Sequence, residues 1–335
     1  MISLLYLAAI APTLVSAQSF IGEGLGSVPL DAPGVAYPYA YKGYPNKGQG
    51  PAQSDMIAAR IYDTFNPGQV PAGVNPPNCT PRPGQFPILL IPGTTETVYL
   101  NWAKFGPRLA NQGFCVYSFA HNPMMFLNNN TIITQTAFTG DIAQSAHALS
   151  AIVDDILART GASKVDLIGH SQGAGILPYY YLKNLMSGIK VRKMIGLAPS
   201  LGTDFYGIDK LLYQTFEGEL NSFLGALENA FNLDSLMEQL VDNSFMVAMH
   251  NEGLGVPGVE YVNIATQYDD ILMPYTNCLW NEAGVDTTNI LLQDVCGLDF
   301  SDHLALPYSD NVYGIVQNQL TGNNDWFPCQ FTLPI

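Results

Sequence analysis

The stretch Gly169-His170-Ser171-Gln172-Gly173-Ala174 constrains this chain more than any other, because of what stands on either side of it. Lys164 to Ile168 has the short apolar pattern of a strand, and Ile176 to Met186 reads as a helix. A serine between them occupies a sharp strand-to-helix turn that lifts its Oγ clear of a sheet. Small residues at 169 and 173 are what such a turn needs, since a side chain at either place collides with neighbouring backbone. The helix that follows aims its N-terminus at the same point, which favours developing negative charge. Ser171 is therefore a candidate nucleophile.

A serine hydroxyl is a weak nucleophile until an imidazole takes its proton, and a carboxylate must fix the imidazole tautomer. Of the five histidines only His250 and His303 follow Ser171. Tyr261 to Ala265 looks like a strand that ends in Thr266-Gln267-Tyr268-Asp269-Asp270, and Asn289 to Leu292 is another, leading to a loop with Asp302-His303-Leu304. In open α/β sheets chemistry gathers at the carboxyl ends of strands. Asp269 and His303 fall there, whereas His250 lies in an insertion. Successive residues leaving a strand point in opposite directions, so only one of Asp269 and Asp270 can face His303. His121, His147, His170 and His250 are read as structural. No H-E-x-x-H motif, paired cysteine spacing or tight histidine cluster suggests a metal.

Strands are expected at Phe86–Ile91, Phe114–Ser118, Val165–Gly169, Met194–Leu197, Val259–Ala265 and Asn289–Leu292, with helical runs between most of them. That alternation predicts one α/β domain over 86–335 with a mostly parallel central sheet. Asp141 to Thr160 is the clearest helix, with Ile142, Leu149, Ile152, Val153, Ile156 and Leu157 on one face and Gly161 as its stop. Residues 18–85 are rich in Pro, Gly and Tyr and are expected to form an irregular extension wrapped on the main domain, with one helix around Ser54 to Phe65; disorder is the alternative reading. Residues 200–258 are too long for an ordinary connection. Leu220, Phe223, Leu224, Leu227 and Phe231, continued by Leu233, Leu236, Met237 and Leu240, predict a helical cap whose apolar surface lines an acyl pocket.

From Pro87 onward the chain resembles the lipase class 2 family of α/β-hydrolases. The matching pieces are Ile88 to Thr95, Asn101-Trp102, Gly113 to Val116, the serine turn, Thr266 to Tyr275, and Leu292 to Cys296 leading to Ser301-Asp302-His303-Leu304. Residues 18–75 have no counterpart in that pattern. The resemblance implies an α/β-hydrolase fold with a helical cap, Ser171 as nucleophile, Asp269 as acid and His303 as base, with no cofactor. The oxyanion of the tetrahedral intermediate would then be held by the Gln172 backbone N–H, which follows the nucleophile, and by Thr94 after the first strand. It also implies disulfides Cys79–Cys115 and Cys296–Cys329, leaving Cys278 free; the competing pair Cys278–Cys296 would leave Cys329 free instead.

Residues 1–17 read as a secretory signal, with an apolar run from Leu4 to Val15 and small residues before Gln18. Export fits five cysteines and two N-glycosylation sequons, at Asn78 and Asn129. A net charge of −15 with 13 basic residues and no basic run argues against nucleic acid or anionic membrane partners. The expectation is a secreted serine carboxylester hydrolase, lipase-like, acting on lipid or other esters. A short-chain esterase or polyesterase is the neighbouring reading, and a non-catalytic binding protein on the same scaffold is the reading from another class.

Overall fold

The computed structural model describes residues 47–121, 136–204 and 234–335, together with the strand backbones at 25–29, 39–40, 44–45, 124–128 and 131–135. The expected leader 1–17, the Asn129 sequon and the cap positions Leu220, Phe223, Leu224, Leu227, Phe231 and Leu233 lie outside the described residues.

Six strands form the main sheet: β1 (Ile88–Ile91), β2 (Val116–Ser118), β3 (Val165–His170), β4 (Val191–Leu197), β5 (Glu260–Ala265) and β6 (Asp286–Leu291). They lie in the order β6-β5-β4-β3-β1-β2, every neighbouring pair parallel. All six match strands read from the sequence, with shifted ends: β4 starts at Val191, and Leu292 leaves β6 to begin a helical turn. Every residue of β1 and β3 is buried. A parallel strand covered on both faces needs such a near-continuous apolar run. The register aligns Gly169 of β3 with Ile91 of β1 and Gly196 of β4, so Pro92, Ser171 and Ala198 leave the sheet along one edge.

Helices cover this sheet. We label α1 (Met56–Phe65), α2 (Val98–Trp102), α3 (Ile142–Thr160), α4 (Ile176–Tyr180), α5 (Asp234–Glu238), α6 (Ser244–Asn251) and α7 (Asp310–Thr321). Helix α3 starts where Asp141 accepts a hydrogen bond from the Gln144 N–H, and ends at Gly161, whose φ is +69°. Its buried face includes Ile142, Leu149, Ile152, Val153 and Ile156. Each such side chain removed from water stabilises the fold by about 1.5–3 kcal/mol. Helix α4 differs from expectation: the run read as Ile176 to Met186 is α-helical only to Tyr180 and widens into a π-turn over Tyr181–Leu185. Tyr179, Tyr181 and Leu182 are all buried there, a crowding of apolar side chains broader than one helical stripe.

The N-terminal extension is more ordered than its composition suggests. Helix α1 begins two residues later than the bare sequence implies, at Met56, because Asp55 caps the Ala58 N–H. Met56 and Ala59 pack with Tyr99, Leu100, Leu304 and Tyr308, so the extension is seated against the loop that bears His303. The strand Leu25–Pro29 joins Met124–Asn128 and Thr131–Thr136 in a small antiparallel sheet that the sequence reading did not anticipate. The run Thr131-Ile132-Ile133-Thr134 carries the β-branched signal that favours it. Cys79–Cys115 ties the extension to the segment entering β2, Cys296–Cys329 pins the C-terminal tail, and Cys278 is buried and free.

The described part of the insertion corrects one detail of the cap. The stripe expected to run through Leu240 stops with α5 at Glu238, and Leu236 is exposed, because Gln239 turns inward to bond the Ser235 carbonyl and Thr94. Helix α6 buries Met246 and Met249 in the main core, as ordinary packing does.

Glu238 accepts a hydrogen bond from the Ile142 N–H at the start of α3, but partial burial, with Asp141 and Asp234 nearby, pushes its pKa up to about 7. The folded chain therefore holds a proton that the unfolded chain releases above about 4.5. Stability should decline as pH rises from about 5 to 7 and level off above that. In Glu238→Gln, which keeps the acceptor, thermal melts across this range should show a flatter slope and a higher Tm at pH 8; an unchanged slope would show that Glu238 does not set it.

Candidate active site

Ser171 follows directly on β3 with φ of +55°, and a short helical turn covers Ser171–Gly173. A non-glycine residue in this left-handed region is strained by about 1–3 kcal/mol and persists where its surroundings impose it. Here they do. A Cβ at Gly169 would lie 1.8 Å from the Gly173 carbonyl oxygen, and one at Gly173 would lie 2.3 Å from that of Pro92. The Ser171 carbonyl accepts the Ser200 N–H at 3.1 Å, which ties the turn to the segment leaving β4.

His303 and Asp269 meet as the chain order suggested. His303 Nδ1 stands 2.8 Å from Asp269 Oδ2, with both residues buried. A carboxylate oxygen accepts, so Nδ1 carries the hydrogen and the neutral ring keeps its lone pair at Nε2. Asp269 Oδ1 in turn accepts from the N–H groups of Leu272 at 2.6 Å and Ile271 at 3.0 Å, which holds the carboxylate in place. Burial works to lower the His303 pKa, but the charge and hydrogen bond of Asp269, with smaller contributions from Glu96 and Asp270, hold it above the ordinary histidine value. Asp270 is half-buried and makes no bond to His303; Asp302 bonds the Ala305 and Ile335 N–H groups instead.

Thr94 and Gln172 also come together. The Thr94 hydroxyl donates to Gln172 Oε1 at 3.4 Å and accepts from Gln239 Nε2 at 2.9 Å. The Gln172 N–H lies in the first turn of a helical segment, where backbone donors lack an intrahelical partner. Because Gln239 occupies the acceptor side of the Thr94 oxygen, the hydroxyl hydrogen is turned away from it and toward Gln172.

The remaining histidines serve the scaffold or lie outside the site. His121 Nδ1 pairs with Ser145 Oγ at 2.8 Å, His250 Nε2 with the Leu201 carbonyl at 2.8 Å, and His147 is exposed on α3. His170 is different. Its ring lies 4.8 Å from that of His303 and it is fully buried, so it belongs to the site although its role was read as packing. Gln239, Glu96 and Asn101 are further site residues that the sequence reading did not assign. Gln239 carries no local signal, since it lies 145 residues from Thr94. Glu96 did carry one: it is the only acidic residue between Asp63 and Asp141. Asn78 is exposed, next to the disulfide-bonded Cys79.

Comparison with known proteins agrees with this architecture. Residues 87–247 match the family model described as alpha/beta hydrolase fold. Lipase B of Aspergillus fumigatus superposes with a TM-score of 0.54 at 19% identity, over 79% of this chain and 60% of the other, so the chain spans about three fifths of that protein's length. A Listeria innocua gene product gives a TM-score of 0.43 at 14% identity over 75% of this chain and 98% of the other. A 2-hydroxy-6-oxo-6-phenylhexa-2,4-dienoate hydrolase from Rhodococcus gives 0.39 at 13% over 72% and 92%. The fold is that of the α/β-hydrolases. Among the described residues no helix is long and apolar enough to cross a membrane.

The geometry separates the two adjacent acids. Asp269→Asn should lower kcat by orders of magnitude, about 10⁴ where the equivalent change was made in a serine protease, whereas Asp270→Asn should cost less than tenfold. Steady-state kinetics on the two purified variants decide between them, and the reverse ranking would move the acid to Asp270.

Proposed function

We propose that this α/β-hydrolase-fold chain is an exported serine carboxylester hydrolase whose substrates are lipid esters. The observation that carries the reading is the convergence at one sheet edge of a strained serine turn, a His303–Asp269 pair bonded at 2.8 Å, and the Thr94–Gln172 contact at 3.4 Å. Four sequence-distant segments supply these groups, and no single packing need brings them together.

In this mechanism Ser171 Oγ attacks the ester carbonyl while His303 Nε2 takes its proton, and Asp269 stabilises the imidazolium that forms. The negative charge moves to the carbonyl oxygen, where the Gln172 N–H and the Thr94 hydroxyl receive it, helped by the start of the following helix. Collapse expels the alcohol, which recovers the proton from His303. Water then attacks the acyl-enzyme by the same route, and the acid product leaves with Ser171 restored. Gln239 donates to the Thr94 oxygen, so the hydroxyl hydrogen, which bonds Gln172 Oε1 in the free site, turns to the oxyanion when one forms. Removing one such donor typically costs on the order of 10²–10³ in rate.

Lipid esters are the favoured class because the insertion after β4 repeats leucine and phenylalanine at helical spacing, an apolar stripe of the kind that suits an acyl chain. The similar Aspergillus structure bears the name of a lipase, in keeping with that choice. Two disulfides are compatible with an oxidising extracellular setting.

A fluorophosphonate probe should label Ser171 alone, and Ser171→Ala should abolish both labelling and turnover of p-nitrophenyl esters. Across an acyl series from acetate to palmitate, kcat/KM should rise with chain length and extend to emulsified triacylglycerol. Its acid limb should fall above pH 6.5, since His303 must be neutral to act and its pKa is raised. Labelling of another serine would overturn the nucleophile; a preference for acetate would overturn the lipid assignment.

A further inference from the structure

His170, the residue before Ser171, has both ring nitrogens committed. Nε2 is 2.9 Å from the main-chain oxygen of His303, and Nδ1 is 2.7 Å from Glu96 Oε2. A carbonyl only accepts, so Nε2 carries a hydrogen. A bare Nδ1 lone pair would face a carboxylate oxygen at 2.7 Å, so a proton lies between these two atoms, whichever side owns it. The same Oε2 accepts the Gly93 N–H at 3.1 Å. Asn101 closes the ring of contacts, its Oδ1 accepting the Gly93 N–H at 2.9 Å and its Nδ2 standing 3.2 Å from His170 Nδ1. Glu96, Asn101 and His170 are each no more than 2% exposed.

We propose that Glu96 and His170 form a positioning pair that holds the His303 main chain and the Gly93–Thr94 loop in register with Ser171. The proposal rests on the reading of those residues as the hydrolytic machinery. Two arms leave the pair. One runs through His170 Nε2 to the backbone of the base. The other runs through Glu96 Oε2 to the Gly93 peptide, which is drawn inward immediately before Thr94. The pair is wedged against the elbow itself: a Cβ at Gly93 would lie 2.6 Å from Glu96 Oε2 and 3.0 Å from Ser171 Cβ.

Core filling alone is a poor account of this arrangement. A buried ionisable pair is expensive to desolvate, and apolar residues of equal volume commonly pack as well or better. What an apolar pair cannot do is bond two main-chain groups that lie more than two hundred residues apart in sequence, at Gly93 and His303. His303 is anchored by Asp269 on its ring and by His170 on its backbone, so the ring is fixed both in rotation and in place. Catalysis is sensitive to such placement, since an error of about 1 Å can cost on the order of 10²-fold.

The test compares an apolar replacement, Glu96→Met with His170→Phe, against the single variants Glu96→Gln and His170→Gln. Fluorophosphonate labelling and ester kinetics are run on wild type and variants, with thermal melts to normalise for folded protein. The paired apolar variant should keep a Tm near that of wild type yet lose about 10- to 100-fold in kcat with KM changed less than about threefold, as expected when placement of the reacting groups rather than substrate binding is lost. The single variants should each lower kcat, and the double Glu96→Gln, His170→Gln should be no worse than the weaker single, because both act through one unit. If the paired variant does not fold, the glutamine cycle decides alone. Variants that retain wild-type kcat per folded molecule, or glutamine effects that multiply, would overturn the positioning role while leaving the hydrolase reading intact. A wild type that neither labels nor turns over esters would overturn that reading and this proposal with it.

Discussion

At the carboxyl end of β3 the backbone of three segments meets with no room for side chains. The Gly173 carbonyl occupies the space of a Cβ at Gly169, and the Ile91 and Pro92 carbonyls occupy that of a Cβ at Gly173. Because the strand cannot run on and the next turn cannot move away, Ser171 is left at φ +55°, projecting from the sheet edge. The parallel register of β1, β3 and β4 brings their ends to the same edge, so the loop after β1 and the segment after β4 close around the serine. Every other feature of the candidate site is arranged about that point.

Polar groups buried at this edge are organised in chains rather than as isolated pairs. Asp269 is held by two backbone N–H groups and holds His303; His303 is held again through its carbonyl by His170; His170 is held by Glu96, which reaches Gly93. In a low-dielectric interior an unpartnered carboxylate or imidazole is costly, so each group is retained only with its bonds made. Such a network is stiff, and stiffness is what an electrostatically preorganised site requires.

The N-terminal extension bears on the same region from outside. Tyr62 stacks on Tyr99 at 4.8 Å, and α1 packs on the residues that follow His303, Leu304 and Tyr308. Cys79–Cys115 fastens its far end to the strand beside β1. A segment whose composition suggests little structure thus acts as a brace, because aromatic side chains supply large contact areas even where the backbone is irregular.

The sequence by itself determined the sheet, its long capped helix, the serine turn, and the order of Ser171, Asp269 and His303. These are legible because they depend on local patterns: apolar runs, Asp141 and Gly161 as helix ends, and glycines at 169 and 173 where backbone meets backbone. That only one of Asp269 and Asp270 can face His303 was legible as an alternation of direction; the choice of Asp269 came from the resemblance, and in the fold it is Asp269 that bonds His303, at 2.8 Å. The tertiary structure alone decided the contact of Gln239 with Thr94, the end of α5 at Glu238, the strand pairing of Leu25–Pro29, and the link from Glu96 through His170 to His303. Those depend on contacts between residues tens to hundreds of positions apart, which leave no periodicity in the chain. A histidine beside a nucleophile and a solitary glutamate after a strand look ordinary in sequence, and they become a pair only when folding removes water from both and leaves each as the other's partner.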